Sequence, residues 1–235
     1  MTSQQHATRI LITGGTSGLG LASVREWQAR GARVAFVARD AERVVRTARE
    51  QRGSIGIVGD VAAKDDVYAI AVQALGALGG LDVLVNNASS LGPAPLALLG
   101  DTDCEDFELA LATNVLGPFR LGKAVVGALA AAARAGTGGV IVNVTSDAAV
   151  TPYPRWGAYG ASKAALLHMS RIWNEELVDE GVRVRAFDPG DMDTPLHALA
   201  LPDANPAELL RPETAARRLA DAITSALPER RGEAA

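Results

Sequence analysis

The stretch TRILITGGTSGLG, residues 8–20, decides the fold of this chain. Its first half, from Thr8 to Thr13, is a short apolar run rich in β-branched residues, which predicts a buried strand. A glycine-rich turn follows at once, and helical periodicity begins at Leu21. Glycines let a backbone come close to a pyrophosphate, and the N-terminus of the next helix presents free N–H groups to it. Strand, turn and helix in this order therefore indicate a dinucleotide phosphate site, although a glycine-rich loop alone could be only a tight structural turn.

A tyrosine and a lysine one helical turn apart form a second informative feature. Tyr159 and Lys163 lie in WGAYGASKAALLHMS, and the segment from Ala161 to Asn174 has no proline or glycine, so it is predicted to be helical. Residues at i and i+4 share one face of a helix. A free tyrosine has a pKa of about 10, and a nearby positive charge favours the phenolate, so we expect Lys163 to lower the pKa of Tyr159. In isolation the pair is also compatible with a surface tyrosine beside a surface lysine.

The alternation of strand and helix patterns predicts the architecture. Strand patterns recur near 8–13, 33–38, 54–59, 81–85, 139–145 and 182–187. Helical patterns lie at about 18–30, 40–52, 64–79, 103–133, 157–180 and 212–227. Regular alternation predicts an α/β fold, with a doubly wound parallel sheet of six strands and helices on both faces. No linker divides the chain, so residues 1–235 are predicted to form one domain with flexible ends at 1–7 and 228–235.

Polar motifs follow several of the predicted strands. The run from Asn86 to Ser89 follows the fourth strand, Ser146 ends the fifth, and the run from Pro189 to Thr194 follows the sixth. Asn114 lies in the long helical segment between the fourth and fifth strands. Ligands of open α/β sheets bind beyond the carboxyl ends of the strands. We therefore expect these motifs and the glycine turn to meet at one edge of the sheet.

With these motifs in order, the sequence resembles the short-chain dehydrogenases/reductases, in the compact single-domain subfamily that carries Thr-Gly-x-x-x-Gly-x-Gly and Tyr-x-x-x-Lys. The resemblance covers roughly residues 8–227. It implies a Rossmann-type NAD(P)-binding domain and an oxidoreductase that moves hydride between a nicotinamide cofactor and a small carbonyl or alcohol substrate.

Two other classes compete with this interpretation. A non-catalytic dinucleotide-binding or redox-sensing protein of the same fold is one alternative, but such relatives typically lose the tyrosine or the lysine, and this chain keeps both. Nucleotide-sugar epimerases and dehydratases are the other. They carry Thr-Gly-x-x-Gly-x-x-Gly and an added substrate domain, and this chain has neither.

The resemblance also implies catalytic roles. Tyr159 would be the general acid in reduction and the general base in oxidation. Lys163 would lower the pKa of Tyr159 and bind the nicotinamide ribose, and Ser146 would hydrogen-bond the substrate oxygen. Asn114 would hold a water that links Lys163 to solvent. In isolation, Ser146 could be a turn-capping hydroxyl and Asn114 a helix side chain that satisfies backbone groups.

The same resemblance assigns cofactor-binding residues along the whole chain. The glycine loop would wrap the pyrophosphate, Asp60 would meet the adenine amino group, and the segment after the last strand would hold the carboxamide end of the nicotinamide. The full set is Thr13, Gly14, Thr16, Ser17, Gly18, Leu19, Gly20, Arg39, Asp60, Val61, Asn87, Ala88, Ser89, Tyr159, Lys163, Pro189, Gly190, Met192 and Thr194. Ser89 departs from the family pattern, in which a glycine ends the Asn-Asn-Ala-Gly stretch.

The end of the second strand predicts NADP(H) in preference to NAD(H). Relatives specific for NAD place an acidic residue there, whose carboxylate binds the ribose hydroxyls and repels a 2′-phosphate. The matching residue here is Ala38, and the guanidinium of Arg39 can pair with a 2′-phosphate. Arg39 could also be an exposed helix-entry residue beside Asp40 as the N-cap. Ser17 stands where the family often has a second phosphate-binding arginine, so the predicted preference is moderate.

Composition limits the partners and the compartment. A net charge of −4 without a basic stripe argues against nucleic acid binding. Cys104 is the single cysteine, which fits a reducing cytosol, and no His or Cys residues stand at metal-ligand spacing. The first residues lack an apolar signal core, and no apolar stretch of membrane-spanning length is free of charges or glycines. We therefore expect a cytoplasmic protein without a metal or membrane contact.

The C-terminal segment departs from the family pattern and bears on assembly. Family members usually close with a seventh strand, which commonly lines one tetramer interface, whereas here the helix from about Pro212 leads into LPERRGEAA. That strand is predicted to be missing. The two long helices, 103–133 and 157–180, carry small and apolar residues suited to close packing. The sequence therefore predicts a homodimer through these helices.

The sequence limits the substrate only to a broad class. The expected walls of its site are the segments from Ser90 to Pro95, from Asp147 to Trp156 and from Met192 to about Arg211. They combine polar and aromatic side chains, including Arg155. Such walls suit a polar carbonyl or alcohol with an apolar part.

Overall fold

The computed structural model describes residues 7–227. The predicted flexible ends, 1–7 and 228–235, lie outside this range except for Ala7. The strands are β1 Arg9–Thr13, β2 Arg33–Ala38, β3 Ile55–Val58, β4 Val83–Asn86, β5 Val140–Val144 and β6 Arg183–Phe187. The helices are α1 Gly18–Ala29, α2 Ala41–Glu50, α3 Lys64–Leu78, α4 Cys104–Leu111, α5 Gly117–Arg134, α6 Gly157–Glu176, α7 Pro195–Ala200 and α8 Pro212–Ala226.

The strands form one parallel sheet in the order β3-β2-β1-β4-β5-β6. Within the described residues the sheet has six strands, as predicted, so the fold class is confirmed. The strand order reverses between β1 and β4, and the connections after these two neighbours lead to opposite sides. Such a reversal opens a crevice at the carboxyl ends of the strands.

Two apolar layers cover the sheet. Ile10 and Ile12 of β1 pack with residues of α1 and α8, whereas Leu11 between them packs with residues of α3 and α5. Successive strand residues point to opposite faces of a sheet. Each central strand therefore contributes to both layers and is apolar along its whole length, which explains why short apolar runs predicted the strands.

The predicted helix 103–133 is interrupted. α4 continues into a π-helical turn, Ala112–Leu116, and α5 begins directly after it. Such turns are rare in proteins overall, but those that occur are often found at functional sites. Asn114 lies within this one. By length and composition, Cys104–Arg134 could also cross a membrane. This is a weak indication, because Leu121, Val125 and Leu129 are fully buried against the sheet.

One short helix was not predicted. α7 has six residues, and Thr194 caps it by accepting a hydrogen bond on Oγ1 from the amide of His197 (3.2 Å). α6 ends at Glu176, earlier than predicted, and a 3₁₀ turn follows at Val178–Glu180. The second difference lies at the end of an element, where assigned boundaries vary most.

A line of buried polar side chains joins β4, β5 and α6. Asn86 Nδ2 donates a hydrogen bond to Asn143 Oδ1, and Asn143 Nδ2 donates to Ser170 Oγ, each over 2.8 Å. Ser170 Oγ donates in turn to the carbonyl of Leu166 (2.7 Å). We call Asn86, Asn143 and Ser170 the amide ladder. All three side chains are buried, so their hydrogen bonds must be made within the protein.

A buried carboxylate joins the start of β1 to the segment that enters β4. Asp82 is fully buried and accepts hydrogen bonds from the backbone amide of Arg9 (2.7 Å), from its Nε and Nη2 atoms (3.0 and 2.7 Å), and from Thr137 Oγ1 (2.9 Å). Breaking a buried ion pair leaves the remaining polar groups buried without their partner. Loss of the Asp82 carboxylate is therefore expected to destabilise the folded state.

We expect Asp82→Ala to lower the free energy of unfolding by about 3–5 kcal/mol, because Arg9 and Thr137 lose their shared acceptor. Urea denaturation measures the change. Asp221→Ala is the control, since it breaks an ion pair of the same length (Arg30 to Asp221, 2.7 Å) whose carboxylate is 70% exposed, and exposed pairs contribute less than about 1 kcal/mol. Similar losses for the two variants would contradict this interpretation.

Candidate functional site

A cavity of about 710 Å³ lies beyond the carboxyl ends of the strands. It extends from the end of β2, past the glycine loop, to the loops after β5 and β6. The predicted site residues that line it are Gly14, Thr16, Ser17, Gly18, Leu19, Arg39, Asp60, Val61, Asn87, Ala88, Ser89, Ser146, Tyr159, Lys163, Pro189, Gly190, Met192 and Thr194. The fold thus brings motifs from the whole length of the chain to one cleft.

Two predicted residues of the glycine loop lie behind the cavity wall. Thr13 is buried, and its Oγ1 accepts hydrogen bonds from the amides of Asn87 and Ala88, both over 3.0 Å. Gly20 lies beneath the loop, where a Cβ atom would collide with the carbonyl oxygen of Gly14. Thr13 and Gly20 therefore shape the loop without facing the cleft.

The glycine loop forms a cradle that larger residues would fill. Gly14 and Gly18 have φ angles of 72° and 48°, which glycine adopts readily. A Cβ atom would lie 2.9 Å from Asn87 Nδ2 at Gly14, and 3.1 Å from Thr194 Cγ2 at Gly18. α1 has no acidic residue in its first turn, and its N-cap, Ser17, makes no capping hydrogen bond with its side chain. Its first amides are thus available to an anionic group.

α6 carries both residues of the Tyr-x-x-x-Lys pair on its buried face. Tyr159 is 8% exposed and Lys163 is 2% exposed. Lys163 Nζ donates to the carbonyl of Val144 (2.8 Å) and lies 5.4 Å from the centroid of the Tyr159 ring. Burial lowers the pKa of Lys163 to about 7, against a smaller opposing effect of the Asp188 carboxylate.

The prediction that the pKa of Tyr159 lies below its ordinary value is wrong for this structure. Burial raises the pKa of Tyr159 to about 12, although hydrogen bonds with Ser146 and Ser89 lower it in part. Desolvation disfavours the charged phenolate, and the ammonium of Lys163 is directed to the carbonyl of Val144. The effect of burial on the pKa of Tyr159 therefore outweighs the effect expected from a lysine one helical turn away.

The loop after β5 places Ser146 beside a carboxylate. Ser146 Oγ accepts a hydrogen bond from the amide of Ala148 (3.2 Å) and donates one to Asp147 Oδ1 (3.0 Å). The hydroxyl of Tyr153 donates to the other oxygen of Asp147 (2.7 Å). The hydrogen bonds from Tyr153 and Ser146 lower the pKa of Asp147, so this wall of the cavity is negatively charged at neutral pH.

Asn114 does not line the cavity, because it is fully buried behind the loop after β4. Its Nδ2 donates to the carbonyl of Ser90 and to Ser162 Oγ, both over 2.8 Å, and its Oδ1 accepts from the amide of Ser90 (2.8 Å) and from Ser89 Oγ (3.1 Å). An amide side chain offers two donors and two acceptor positions. All four are used, so this side chain has no position for the relay water that the resemblance implied.

The far end of the cavity, beyond β2, carries two arginine side chains. Arg39 and Arg43 both line it. Asp40 lies beside them, and its Oδ1 caps α2 by accepting a hydrogen bond from the amide of Arg43 (3.0 Å). Arg43 was missed from sequence. Its position in the sequence could have identified it, because Arg43 follows the predicted phosphate contact Arg39 by four residues, in the first turn of α2.

The substrate end differs from the sequence expectation in three ways. The predicted wall from Met192 to about Arg211 lines the cavity only as far as Leu201. Arg155 does not line the cavity, because its Nε donates to the carbonyl of Leu96 (3.1 Å). Leu109 and Thr113 line the cavity instead, from α4 and the π-helical turn. A spacing of four residues places them on one helix face, but no sequence motif marks them.

Comparison with protein-family models matches residues 8–204 to the short chain dehydrogenase model. The chain belongs to the short chain dehydrogenase family. The resemblance stated from sequence is thereby confirmed.

Two curated relatives match most of the chain. An uncharacterized oxidoreductase of Thermotoga maritima is 38% identical over 87% of this chain and 80% of its own length. A glucose 1-dehydrogenase of Gluconobacter oxydans is 31% identical over 92% of this chain and 83% of its own length.

Solved structures similar to this short chain dehydrogenase contain nicotinamide cofactors. A 3-ketoacyl-(acyl-carrier-protein) reductase of Brucella melitensis complexed with NADH has a TM-score of 0.85 and 28% identity, over 92% of this chain and 90% of the other. An actinorhodin polyketide ketoreductase with NADPH has a TM-score of 0.83 and 27% identity, over 95% and 92% of the two chains. These similarities support a nicotinamide cofactor for this chain, and they do not distinguish between NADH and NADPH.

Proposed function

We propose that this protein is an NAD(P)-dependent oxidoreductase that transfers hydride between the nicotinamide and a carbonyl or alcohol substrate. The observation that carries the proposal is the position of the Tyr159 hydroxyl. Tyr159 and Ser146 line the same cavity as the glycine cradle, and Ser146 lowers the pKa of Tyr159 against the larger effect of burial. A proton donor and an anion cradle in one cleft suit a reaction in which hydride and proton reach the two ends of a carbonyl bond. We place the protein in the cytoplasm, in keeping with its single cysteine.

The residues present fit a dinucleotide. The glycine loop lines the cavity and packs too closely on Asn87 and Thr194 to carry side chains at Gly14 and Gly18, and the free amides of α1 favour an anion. Lys163 uses one of its N–H donors on Val144, and an ammonium group has three, so it can also bind ribose hydroxyls. One carboxylate oxygen of Asp60 accepts a hydrogen bond from the amide of Ala62 (2.9 Å). The other oxygen can accept a hydrogen bond from the adenine amino group.

The proposed mechanism assigns each side chain one task. The cofactor supplies or accepts the hydride when bound. Tyr159 donates its hydroxyl proton to the carbonyl oxygen in reduction and accepts it back from the alcohol in oxidation. Ser146 hydrogen-bonds the same oxygen, and the charged form of Lys163 stabilises the phenolate. The raised pKa of Tyr159 keeps it protonated near neutral pH, which is the form that reduction needs.

The charges at the substrate end favour an uncharged substrate. Asp147 and Asp191 line this part of the cavity together with the apolar side chains of Trp156, Leu196 and Leu199. Carboxylates repel an anionic group and accept hydrogen bonds from hydroxyls. We therefore propose neutral carbonyl compounds or alcohols with an apolar part as the substrate class.

A turnover screen tests the proposed function. The panel consists of cyclohexanone, acetophenone, glucose, levulinate and methyl levulinate, each offered with the phosphorylated and with the unphosphorylated cofactor. Absorbance follows the loss of NADPH or NADH in reduction, and their formation in oxidation. We expect turnover with neutral members and at least about tenfold lower kcat/KM for levulinate than for its methyl ester. Cofactor binding without any turnover would favour the alternative, a dinucleotide-binding or redox-sensing protein.

We expect NADPH to bind about tenfold or more tightly than NADH, which corresponds to about 1.4 kcal/mol. Arg39 and Arg43 line the far end of the cavity, and guanidinium groups pair well with phosphate. Ala38 offers no carboxylate to the ribose hydroxyls. Fluorescence titration of both reduced cofactors measures the preference.

Arg39→Ala should remove most of this preference by weakening NADPH binding while leaving NADH binding nearly unchanged. Arg46→Ala is the matched control, because Arg46 is exposed on the same helix, α2, and does not line the cavity. Equal affinities of the parent protein for the two cofactors, or tighter NADH binding, would show the proposed preference to be wrong.

We propose a homodimer that forms through the helices α4, α5 and α6. Large apolar side chains of these helices and of the π-helical turn are 40–46% exposed, at Leu116, Phe119 and Ile172. The Phe119 ring packs on Trp173 with centroids 5.6 Å apart, so α5 and α6 present a continuous apolar surface. Such a surface suits a two-fold interface.

Light scattering should give roughly twice the chain mass of 24.4 kDa at micromolar concentration. Phe119→Glu should shift the protein to a monomer, because a charge would be buried in the interface. Val72→Glu is the control, since Val72 is 70% exposed on α3, which is outside the proposed interface. A monomeric or tetrameric parent protein would contradict the proposal.

A further inference from the structure

Ser146 belongs to a chain of hydrogen bonds on the wall of the cavity. Its Oγ donates to Asp147 Oδ1 (3.0 Å), and the hydroxyl of Tyr153 donates to Asp147 Oδ2 (2.7 Å). The amide of Ala148 donates to Ser146 Oγ (3.2 Å). All four residues line the cavity. This chain therefore determines which hydrogen bond Ser146 can offer to a bound substrate.

The chemistry of the partners fixes the direction of each hydrogen bond. A backbone amide can only donate, and an ionised carboxylate can only accept. The hydrogen bonds from Tyr153 and Ser146 lower the pKa of Asp147, so its carboxylate is ionised at neutral pH. Ser146 must therefore give its single proton to Asp147 and accept from the amide of Ala148. A hydroxyl oxygen has two lone pairs, so the one position left on Ser146 is an acceptor.

Tyr153 keeps the carboxylate of Asp147 beside Ser146. The hydrogen bond from Tyr153 to Asp147 is the shortest of the three in this chain. Asp147 itself is exposed to solvent, but its side chain cannot turn away from Ser146 without also leaving Tyr153. The loop after β5 thus holds a charged acceptor next to the serine hydroxyl.

The two forms of the proposed substrate place different demands on Ser146. A carbonyl oxygen can only accept, so Ser146 must turn its proton away from Asp147 before it can donate to that oxygen. An alcohol hydroxyl can donate its own proton to the free acceptor position, and the bond between Ser146 and Asp147 then stays intact. Hydrogen bonds to a charged acceptor are roughly twice as strong as neutral ones. The exchange of the carboxylate for a neutral carbonyl oxygen is therefore unfavourable.

We propose that Asp147 is a positioning residue that holds the Ser146 proton and thereby shifts the binding preference of the cavity from the carbonyl form of the substrate toward the alcohol form. This inference rests on the proposed oxidoreductase function, which places the substrate oxygen at Ser146. Asp147 acts through Ser146 and takes no part in the transfer of hydride or of the Tyr159 proton.

A direct contact between a carboxylate and the substrate would also favour an alcohol. Asp147 lines the cavity, and so does Asp191, whose side chain is 79% exposed. Either carboxylate can accept a hydrogen bond from an alcohol hydroxyl. The experiment must therefore separate an effect that passes through Ser146 from such a contact.

The test measures binding without turnover. The carbonyl compound turned over fastest in the screen is titrated into the protein saturated with NADP⁺, and the corresponding alcohol into the protein saturated with NADPH. Neither mixture can react, because the carbonyl compound needs a reduced cofactor and the alcohol an oxidised one. Calorimetry at pH 7 gives both dissociation constants. Asp147→Ala should lower the constant of the carbonyl compound about threefold to tenfold and change that of the alcohol less than about twofold.

A second substitution isolates the role of the serine proton. In a Ser146→Ala background, the further change Asp147→Ala should leave both constants unchanged, because no serine proton remains to be held. A direct contact between Asp147 and the substrate would keep its effect in that background. Asp101→Ala controls for the loss of one negative charge, since Asp101 is exposed and does not line the cavity. This variant should match the parent protein.

Two results would overturn the proposal. One is a carbonyl dissociation constant that is the same in Asp147→Ala and in the parent protein. The other is an effect of Asp147→Ala that is equally large with and without Ser146. The proposed function is judged separately, by turnover in the screen. If no member turns over, the proposed function fails and this inference fails with it, whereas turnover with unchanged binding overturns the inference alone.

Discussion

Tyr159→Phe is expected to lower kcat/KM by about 10³-fold or more while the cofactor dissociation constant changes less than about twofold. General acid–base catalysis contributes about 10²–10⁴-fold, and the substitution removes only the hydroxyl. The ring itself, which packs against Trp156 with centroids 5.6 Å apart, is kept. Steady-state reduction of the best carbonyl substrate and fluorescence titration of NADPH measure the two quantities.

Tyr68→Phe is the matched control for this experiment. Tyr68 lies on α3, is 65% exposed and does not line the cavity, so loss of its hydroxyl should leave turnover unchanged. Turnover of Tyr159→Phe within tenfold of the parent would remove Tyr159 from the mechanism.

Lys163→Met is expected to lower the activity of the protein while it raises the stability of the folded state. Turnover should fall at least about 10²-fold and cofactor binding should weaken, because the phenolate and the ribose both lose a cationic partner. At the same time the folded state should become more stable at neutral and acidic pH, since a buried ammonium is replaced by an apolar side chain of similar length.

The pH dependence of this gain follows from the pKa of Lys163. In the folded protein burial lowers that pKa from 10.5 to about 7. Below about pH 7 the lysine is charged in both states and carries the full desolvation penalty, and above about pH 10.5 it is neutral in both. The variant should therefore gain stability on the order of 1–3 kcal/mol at pH 6, and this gain should shrink as the pH rises from about 7 to 10.5.

Urea denaturation at several pH values measures this gain. Lys123→Met is the control, because Lys123 is exposed on α5 and should affect neither stability nor turnover. A Lys163→Met variant that is less stable than the parent at pH 6 would contradict the destabilising role of the buried ammonium.

The fold was predictable because its central strands are buried on both faces. Runs such as Ile10 to Ile12 are apolar without interruption, and this pattern is typical of central parallel strands. The glycine turn and the pair Tyr159 and Lys163 then located the cleft at the carboxyl ends of the strands. These features depend on local spacing, which a single sequence displays.

Features that depend on contacts between segments were not predictable. The pKa of Tyr159 is set by how deeply α6 is buried, and the saturation of Asn114 is set by how the loop after β4 wraps around it. Arg155 turned out to bind the carbonyl of Leu96, a partner far away in sequence. The π-helical turn changes the register within a long helix, and hydrophobic periodicity does not reveal such a change.

The amide ladder limits the ways in which β4 and β5 can pair while the protein folds. Apart from Asn86 and Asn143, which pair with each other, both strands consist of Val, Leu and Ile. A slip of one residue would turn each side chain to the wrong face. A slip of two residues would keep the faces and much of the apolar contact, so the hydrophobic residues alone discriminate poorly against it.

In the slipped pairing each buried amide would lose its partner, at about 1–3 kcal/mol per group. Ser146 would also move about 6–7 Å along the strand direction relative to β4 and to the segment that follows it. The ladder thus excludes a misfolded state that would be nearly as apolar as the native one but would displace Ser146 from the motif after β4.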